Sequence, residues 1–177
     1  MTDAVVRRVR LQEWRQVRDL RLRALRDPVA SIAFLSTAEE ALAQADDFWQ
    51  QRTADAAMGE DAAQFVAVAG ERWVGSVTVL LRAAGSTDTL GRTVDAPQAD
   101  LVGVFVDADH RGRGILDALV EAAAAWAEEA GASGLTLDVH TDNARAQAAY
   151  RRLGFTPTGL GVDTAAGYEI QMHRAAR

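Results

Sequence analysis

Two glycines and two arginines alternate in one short stretch, Arg111-Gly112-Arg113-Gly114, where an apolar run gives way to an amphipathic one. A helix that begins at glycines presents free backbone N–H groups and the positive end of its dipole, and both attract anions. Glycine also lets a phosphate approach the backbone because no Cβ intervenes, and the arginines add charged donors. The stretch therefore predicts an anion site, with a plain glycine turn as the alternative.

Two well-known phosphate-binding loops do not fit this stretch. A Walker P-loop requires GxxxxGK[ST], and all 19 basic residues of this chain are arginine. A Rossmann turn requires GxGxxG, but the third position counted from Gly112 is Asp117, whose carboxylate would repel a pyrophosphate. Both motifs are excluded, so the residues of this stretch alone leave the identity of the anion open.

A second pair of residues that could take part in a reaction consists of Asn143, the only asparagine of the chain, and Tyr150. If a helix begins at Asn143, the two side chains lie on one face, roughly 10 Å apart along the axis. Ala146 lies between them and leaves a shallow track on that face. A helix N-cap and a packing aromatic are the alternative roles for the two residues.

The elements that carry these residues alternate between strand and helix. The apolar run 101–106 predicts a strand covered on both faces, and an amphipathic helix follows from residue 115. Alternation over 134–140 predicts another strand, after which a helix begins at Asn143 and ends near Gly154. This order predicts a right-handed crossover in a largely parallel segment, and hence an α/β (α+β) fold.

The N-terminal half contains a predicted strand, two predicted helices and a predicted hairpin. Residues 5–11 predict a strand, and an amphipathic helix follows that ends before Pro28. Ser36 and Glu39 form a capping-box pattern that predicts the start of a second helix. Two β-rich runs within 64–82 predict a hairpin.

Composition limits the classes of function. The 177 residues fit one domain. The absence of cysteine and lysine excludes thiolate catalysis, cysteine-ligated metals and lysine Schiff bases, and no metal site is expected. The net charge of −6 argues against nucleic acid as a partner. No apolar run approaches the ~18 residues of a membrane span, so we expect a cytoplasmic protein with no membrane partner.

Taken together, the two stretches resemble the GCN5-related N-acetyltransferase (GNAT) superfamily. The family's acetyl-CoA turn reads R/Q-x-x-G-x-G/A after a V-x-V strand, and here Val104-Phe105-Val106 precedes Arg111-Gly112-Arg113-Gly114-Ile115-Leu116. The later signature N-x-x-A-x-x-x-Y-x-x-x-G-F is matched at Asn143, Ala146, Tyr150, Gly154 and Phe155. Leu116 departs from the pattern, since the family has a small residue there. The resemblance covers 101–160 in its motifs and the rest of the chain in element order only.

The resemblance implies a mixed, twisted central sheet flanked by about four helices, whose fourth and fifth strands splay apart to admit acetyl-CoA. It implies a single domain over 1–177, with the acetyl-CoA site within 101–160 and the acceptor site formed from 12–82 and 156–174. The cofactor-binding residues that it implies are Val104, Phe105, Val106, Arg111, Gly112, Arg113, Gly114, Ile115, Leu116, Asp117 and Asn143.

The implied chemistry is direct attack of a neutral amine on the thioester of acetyl-CoA. A strand amide near Phe105 or Val106 would stabilise the oxyanion. Tyr150, by its position in the motif, would protonate the departing thiolate. The resemblance therefore predicts Tyr150 as a catalytic residue.

A base is also expected, because a free amine is almost fully protonated at pH 7. Family members that acetylate protein N-termini place a glutamate where this chain has Asp138. His140 lies two residues further along the same predicted strand face and could act with Asp138 through water. Asp138 and His140 are the candidates, with Glu71 and Asp100 left open.

The acceptor carries no motif in this sequence. The resemblance implies an amine on a small molecule, peptide or protein, and the acidic composition favours a cationic one. Alternation after Tyr168 predicts a last strand whose edge could pair two subunits, so monomer and homodimer both stay open. A CoA-binding regulatory module without turnover and an interaction domain without a CoA site are the alternative functions.

Overall fold

A seven-stranded sheet runs through the computed structural model, which describes residues 4–177. The strands are β1 (Ala4–Arg8), β2 (Ala62–Ala69), β3 (Arg72–Arg82), β4 (Gln98–Val106), β5 (Gly134–His140), β6 (Thr156–Thr164) and β7 (Gly167–Ala175). The helices are α1 (Trp14–Leu25), α2 (Ala30–Ala33), α3 (Ala38–Ala43), α4 (Asp46–Met58), α5 (Ile115–Glu129) and α6 (Ala144–Arg152), with a 3₁₀ turn at Ala108–His110. None of these helices, within residues 4–177, is long and apolar enough to cross a bilayer.

The sheet is mixed, in the order β1-β2-β3-β4-β5-β7-β6. Only β4 and β5 are parallel, and every other neighbouring pair is antiparallel. The α/β (α+β) class is confirmed, as are four longer helices, and the strands on either side of α5, β4 and β5, are parallel as the predicted crossover requires. The last strand, β7, lies between β5 and β6, so its predicted free edge is wrong.

Alternating residues of β2 show that both faces of the sheet are buried. Phe65 and Ala67 pack into a core with α5 and with Tyr150 of α6. Val66 between them packs into a second core with α1 and with Trp49 of α4. Helices α5 and α6 therefore cover one face, and α1 and α4 cover the other.

Strands β4 and β5 separate almost as soon as they pair. Their only aligned pair is Asp100 with Thr136. Further along, β4 bulges at Gly103, whose φ is +61°, and its register with β3 shifts between Ser76 and Thr78. The predicted splay of the fourth and fifth strands is present, and it leaves the end of β4 without a neighbour on the β5 side.

The segment after α1 differs from the sequence prediction. The capping box is formed by Thr37 and Glu40, one residue beyond the predicted pair, Ser36 and Glu39. The side chain of Ser36 instead accepts a hydrogen bond from Arg21 at 2.7 Å. The predicted second helix is divided into α3 and α4. The predicted hairpin of 64–82 is confirmed as β2 and β3.

Candidate active site

A cavity of about 820 Å³ passes through the sheet where β4 and β5 separate. It is lined on one side by the start of α5 and by α6, and on the other by residues of α1, α2 and α4. Because these helices cover opposite faces of the sheet, a cavity that contacts both sets must cross the sheet. Two substrates could therefore enter from opposite faces and meet at the split.

The glycine turn has the geometry of an anion site. Gly112 and Gly114 have φ of +73° and +78°, a conformation that favours glycine, and both line the cavity. Gly114 is the N-cap of α5 and no side chain caps the helix. Among residues 4–177, the N–H groups of Ile115, Leu116 and Asp117 have no acceptor. These free donors fit a pyrophosphate.

The two arginines of the turn have different surroundings. The guanidinium of Arg111 donates to Val106 O at 2.9 Å and is ion-paired with Asp27. It therefore ties the turn to the segment after α1 and is not directed at a ligand. Arg113 is exposed and does not line the cavity. This arrangement disfavours the predicted phosphate contacts of both side chains.

Asp117 does not leave an isolated negative charge at the start of α5. Its carboxylate pairs with Arg152 at 2.8 Å, and both residues line the cavity. Arg145 of α6 lines it as well. The repulsion that Asp117 would exert on a pyrophosphate is thus offset by cations from α6, a contact that no local sequence signal showed.

Leu116 is half-buried and packs against the core beside the cavity. Val104, Phe105 and Val106 line the same space from β4. The backbone that follows the bulge has no β5 partner there, so it is available to pair with an extended ligand.

Asn143 and Tyr150 both line the cavity from α6. Asn143 is the N-cap, and its Oδ1 accepts from the N–H of Ala146 at 3.2 Å, leaving its Nδ2 without an acceptor among residues 4–177. Tyr150 is 8% exposed and packs edge-on against Phe155, with ring centres 5.8 Å apart. Burial, and then the nearby charge of Glu169, raises the pKa of Tyr150, so its hydroxyl stays protonated at neutral pH.

Asp138 lies on the cavity wall but is already ion-paired. Arg92, from the loop before β4, donates to both its oxygens at 2.9 and 2.7 Å and also contacts Asp88 at 2.7 Å. Burial raises the pKa of Asp138 even though Arg92 opposes the shift. The loop over 83–97 thus reaches the site through Arg92.

His140 is buried and both its ring nitrogens are occupied. The N–H of Asp142 donates to Nδ1 at 3.0 Å, which places the ring proton on Nε2, 2.8 Å from Ala166 O. With Nδ1 accepting and Nε2 donating, the ring has no free lone pair for a substrate. The contacts disfavour the predicted base role and indicate that His140 holds the β6–β7 turn.

Glu169 is the carboxylate that sequence reasoning missed. It lies on β7 opposite His140 of β5, it is 9% exposed, and it lines the cavity. Among residues 4–177, its side chain makes no hydrogen bond or ion pair, unlike the other cavity carboxylates, which pair with arginines. Burial raises the pKa of Glu169. Alternation along β7 could have shown that Glu169 faces away from Tyr168 and Ile170.

The two alternative bases lie in different places. Glu71 is exposed in the β2–β3 turn and does not line the cavity. Asp100 does line it, and burial raises its pKa, but its oxygens accept from Gln98 at 2.7 Å and from Arg82 at 3.3 Å.

Comparison with known proteins agrees with this geometry. Residues 14–155 match the acetyltransferase (GNAT) family. The chain belongs to that family. Aminoglycoside N(6′)-acetyltransferase type 1 of Stenotrophomonas maltophilia is 32% identical over 114 residues, covering 64% of this chain and 72% of that protein. The family assignment confirms the expected enzyme class, an acyl-CoA-dependent N-acyltransferase.

Solved structures support the fold. A GNAT acetyltransferase from Streptococcus pneumoniae superposes with a TM-score of 0.77 at 17% identity, covering 98% of this chain and 99% of that one. The PaiA N-acetyltransferase from Thermoplasma acidophilum, solved with coenzyme A, gives 0.74 at 15% identity, covering 99% of each chain. At these identities the similarity establishes the fold and leaves the acceptor open.

Proposed function

We propose that this GNAT protein transfers an acetyl group from acetyl-CoA to a primary amine by direct attack within a ternary complex. The observation that carries the proposal is the cavity through the sheet, which joins the free N–H groups of α5 to Tyr150 and Glu169. The N–H groups that would bind a phosphate, an unpaired strand edge and the proton-transfer groups then line the same cavity. Aminoglycosides, the acceptor class of the relative, are one candidate among amines.

Residues of this chain would contact the pyrophosphate, the pantetheine arm and the thioester of acetyl-CoA. The N–H groups of Ile115 to Asp117 would bind the pyrophosphate, with Arg152 and Arg145 offsetting its charge. The backbone of Val104 to Val106 would pair with the pantetheine arm, and the free Nδ2 of Asn143 would donate to it from the other side. A strand amide near Phe105 or Val106 would stabilise the oxyanion.

The bond changes require two proton transfers. The amine nitrogen bonds to the thioester carbon, the C–S bond breaks, the amine gives up a proton and the thiolate receives one. Tyr150 is the proposed donor to the thiolate, because burial keeps its hydroxyl protonated and that hydroxyl donates to no acceptor in residues 4–177. Glu169 is better supported as the base than Asp138 or His140, since its lone pairs are not occupied.

The experiment is thiol release from acetyl-CoA across a panel of amines, together with thermal unfolding in saturating acetyl-CoA. At 100 times the Kd, the ligand stabilises the fold by about 2.7 kcal/mol. Stabilisation with amine-dependent thiol release is expected. Stabilisation without thiol release for any amine would favour the regulatory module, and no stabilisation would contradict a CoA site.

A further inference from the structure

Two arginines on the acceptor side of the cavity have no acidic partner. Arg21 of α1 and Arg52 of α4 both line it. Neither forms an ion pair among residues 4–177, although the chain has 25 acidic residues against 19 basic ones. Of the other cavity arginines, Arg111 and Arg152 are each ion-paired within the fold, and Arg145 lies on α6, on the side of the proposed pyrophosphate site.

Neighbouring groups orient Arg21 without neutralising it. Its Nη2 donates to the hydroxyl of Ser36 at 2.7 Å, and its guanidinium lies 4.5 Å from the centre of the Phe34 ring. A hydroxyl and an aromatic face position a guanidinium and leave its charge free. The remaining N–H groups of Arg21 make no hydrogen bond within residues 4–177.

Both guanidiniums line one cavity, and the charge of Arg52 acts on Arg21. Desolvation by the surrounding protein, and then the charge of Arg52, lowers the pKa of Arg21 to about 10. Desolvation also lowers the pKa of Arg52. The side chain of Arg52 is exposed to solvent, as expected for a guanidinium that projects into an open cavity. An anion between them would relieve the repulsion and supply the missing partner.

The wall around the split has the opposite charge. The carboxylate of Glu169 lines the cavity there without an ion pair in residues 4–177, whereas that of Asp138 is paired with Arg92. The acceptor side thus has a cationic part, from Arg21 and Arg52, and an anionic part where the amine must react. A polycationic amine would be repelled by the first part, whereas an amine that also bears an anionic group complements both.

We propose that Arg21 and Arg52 form an anion subsite for the acceptor, so that the acceptor is an amine that also carries a carboxylate or phosphate group. This rests on the acetyl transfer proposed above. The phosphates of acetyl-CoA are not the intended anions, because α1 and α4 cover the sheet face opposite α5, whose N-terminus is the proposed pyrophosphate site.

The test compares matched acceptors in thiol-release kinetics. The series consists of amino carboxylates of increasing length, the carboxamide of each, the aminoalkyl phosphonate of the same length, and an aminoglycoside. Because a hydrogen bond to a charged group contributes about 1.5–3 kcal/mol, we expect kcat/KM to favour the anionic member about tenfold to a hundredfold. Preference between carboxylate and phosphonate identifies the anion.

Three variants assign the preference to the arginines. Arg52→Ala should abolish it and leave the KM for acetyl-CoA unchanged, and Arg21→Gln should act in the same direction. Arg15→Ala is the matched control, since it removes one exposed charge from α1 outside the cavity. It should keep the preference, and thermal unfolding checks that each variant is folded.

Two results would overturn the subsite. One is an amide or aminoglycoside that reacts as well as the anionic acceptors. The other is an Arg52→Ala variant whose KM for acetyl-CoA rises while the preference stays. If no amine releases thiol, the proposed transfer fails instead. Calorimetry of the same compounds with the CoA-loaded protein then tests whether the anion subsite exists. Equal affinities for wild type and Arg52→Ala would rule the subsite out.

Discussion

At the scale of single residues, Tyr150 is the group whose contribution can be isolated most cleanly. Tyr150→Phe keeps the ring packed against Phe155 and removes only the hydroxyl. If that hydroxyl protonates the thiolate, its effect belongs to the transition state. We expect kcat to fall by about 10²–10⁴-fold, with little change in stability or in the KM for acetyl-CoA.

The pH profile of the same variant is its control. Burial raises the pKa of Tyr150 above its ordinary value, and the protonated form is the donor. The wild-type rate should therefore show no alkaline fall through the usual tyrosine range, near pH 10. An alkaline fall there that Tyr150→Phe lacks would contradict the raised pKa. Near wild-type kcat would remove Tyr150 from the mechanism, and loss of acetyl-CoA binding would make it structural.

Glu169 has the opposite pH signature. As a base it acts when ionised, so kcat/KM for the amine should fall as the pH drops through its pKa, which burial raises above the usual glutamate range. Glu169→Gln should lower kcat/KM by about 10²–10⁴-fold and remove this acid limb.

Asp163→Asn is the matched control for Glu169→Gln, because Asp163 is an exposed carboxylate on the neighbouring strand, outside the cavity. It should change neither the rate nor the profile. If the fall in kcat/KM at low pH persists in Glu169→Gln and disappears in Asp138→Asn, the base is Asp138 instead of Glu169.

At the scale of elements, the glycine turn and the start of α5 act as one unit. Gly114 has φ of +78°, and a side chain there would also stand over the proposed phosphate site. Gly114→Val should abolish acetyl-CoA binding, measured by calorimetry, and should destabilise the fold by roughly 1–2 kcal/mol through backbone strain.

Gly85→Val separates these two effects. Gly85 also has a positive φ, +80°, but it lies in the loop after β3 with open space around it and does not line the cavity. It should lose comparable stability and keep acetyl-CoA affinity. Unchanged affinity in a folded Gly114→Val variant would contradict the pyrophosphate assignment.

Helices and strands could be predicted from the sequence where a motif is present or where apolar residues recur at a regular spacing. The strand before the glycine turn, the helix after it and the hairpin of β2 and β3 follow from local patterns. The start of the predicted second helix does not, since Ser36 and Thr37 compete for the cap and Ser36 is held by Arg21. Tertiary contact decided that boundary.

At the scale of the whole molecule, the sequence predicted the mixed sheet and the splayed strands only through the family resemblance. Nothing local shows that Arg92 crosses from its loop to Asp138, or that Arg152 neutralises Asp117. Arg21 and Arg52 illustrate the same limit. The early arginines are typical of a solvated helix face, yet the fold turns one of them into the cavity. Long-range pairing of charges requires the fold.

The central claim, that an acetyl group passes directly from acetyl-CoA to an amine at the split between β4 and β5, is tested by following the acetyl group itself. Wild-type protein is mixed with acetyl-labelled acetyl-CoA and the best amine of the panel, and products are identified by mass spectrometry during a single turnover. The label should appear on the amine only when protein, acetyl-CoA and amine are all present, with no labelled protein at any time. Label on the protein, label released as free acetate, or label that stays on acetyl-CoA with every amine would contradict it.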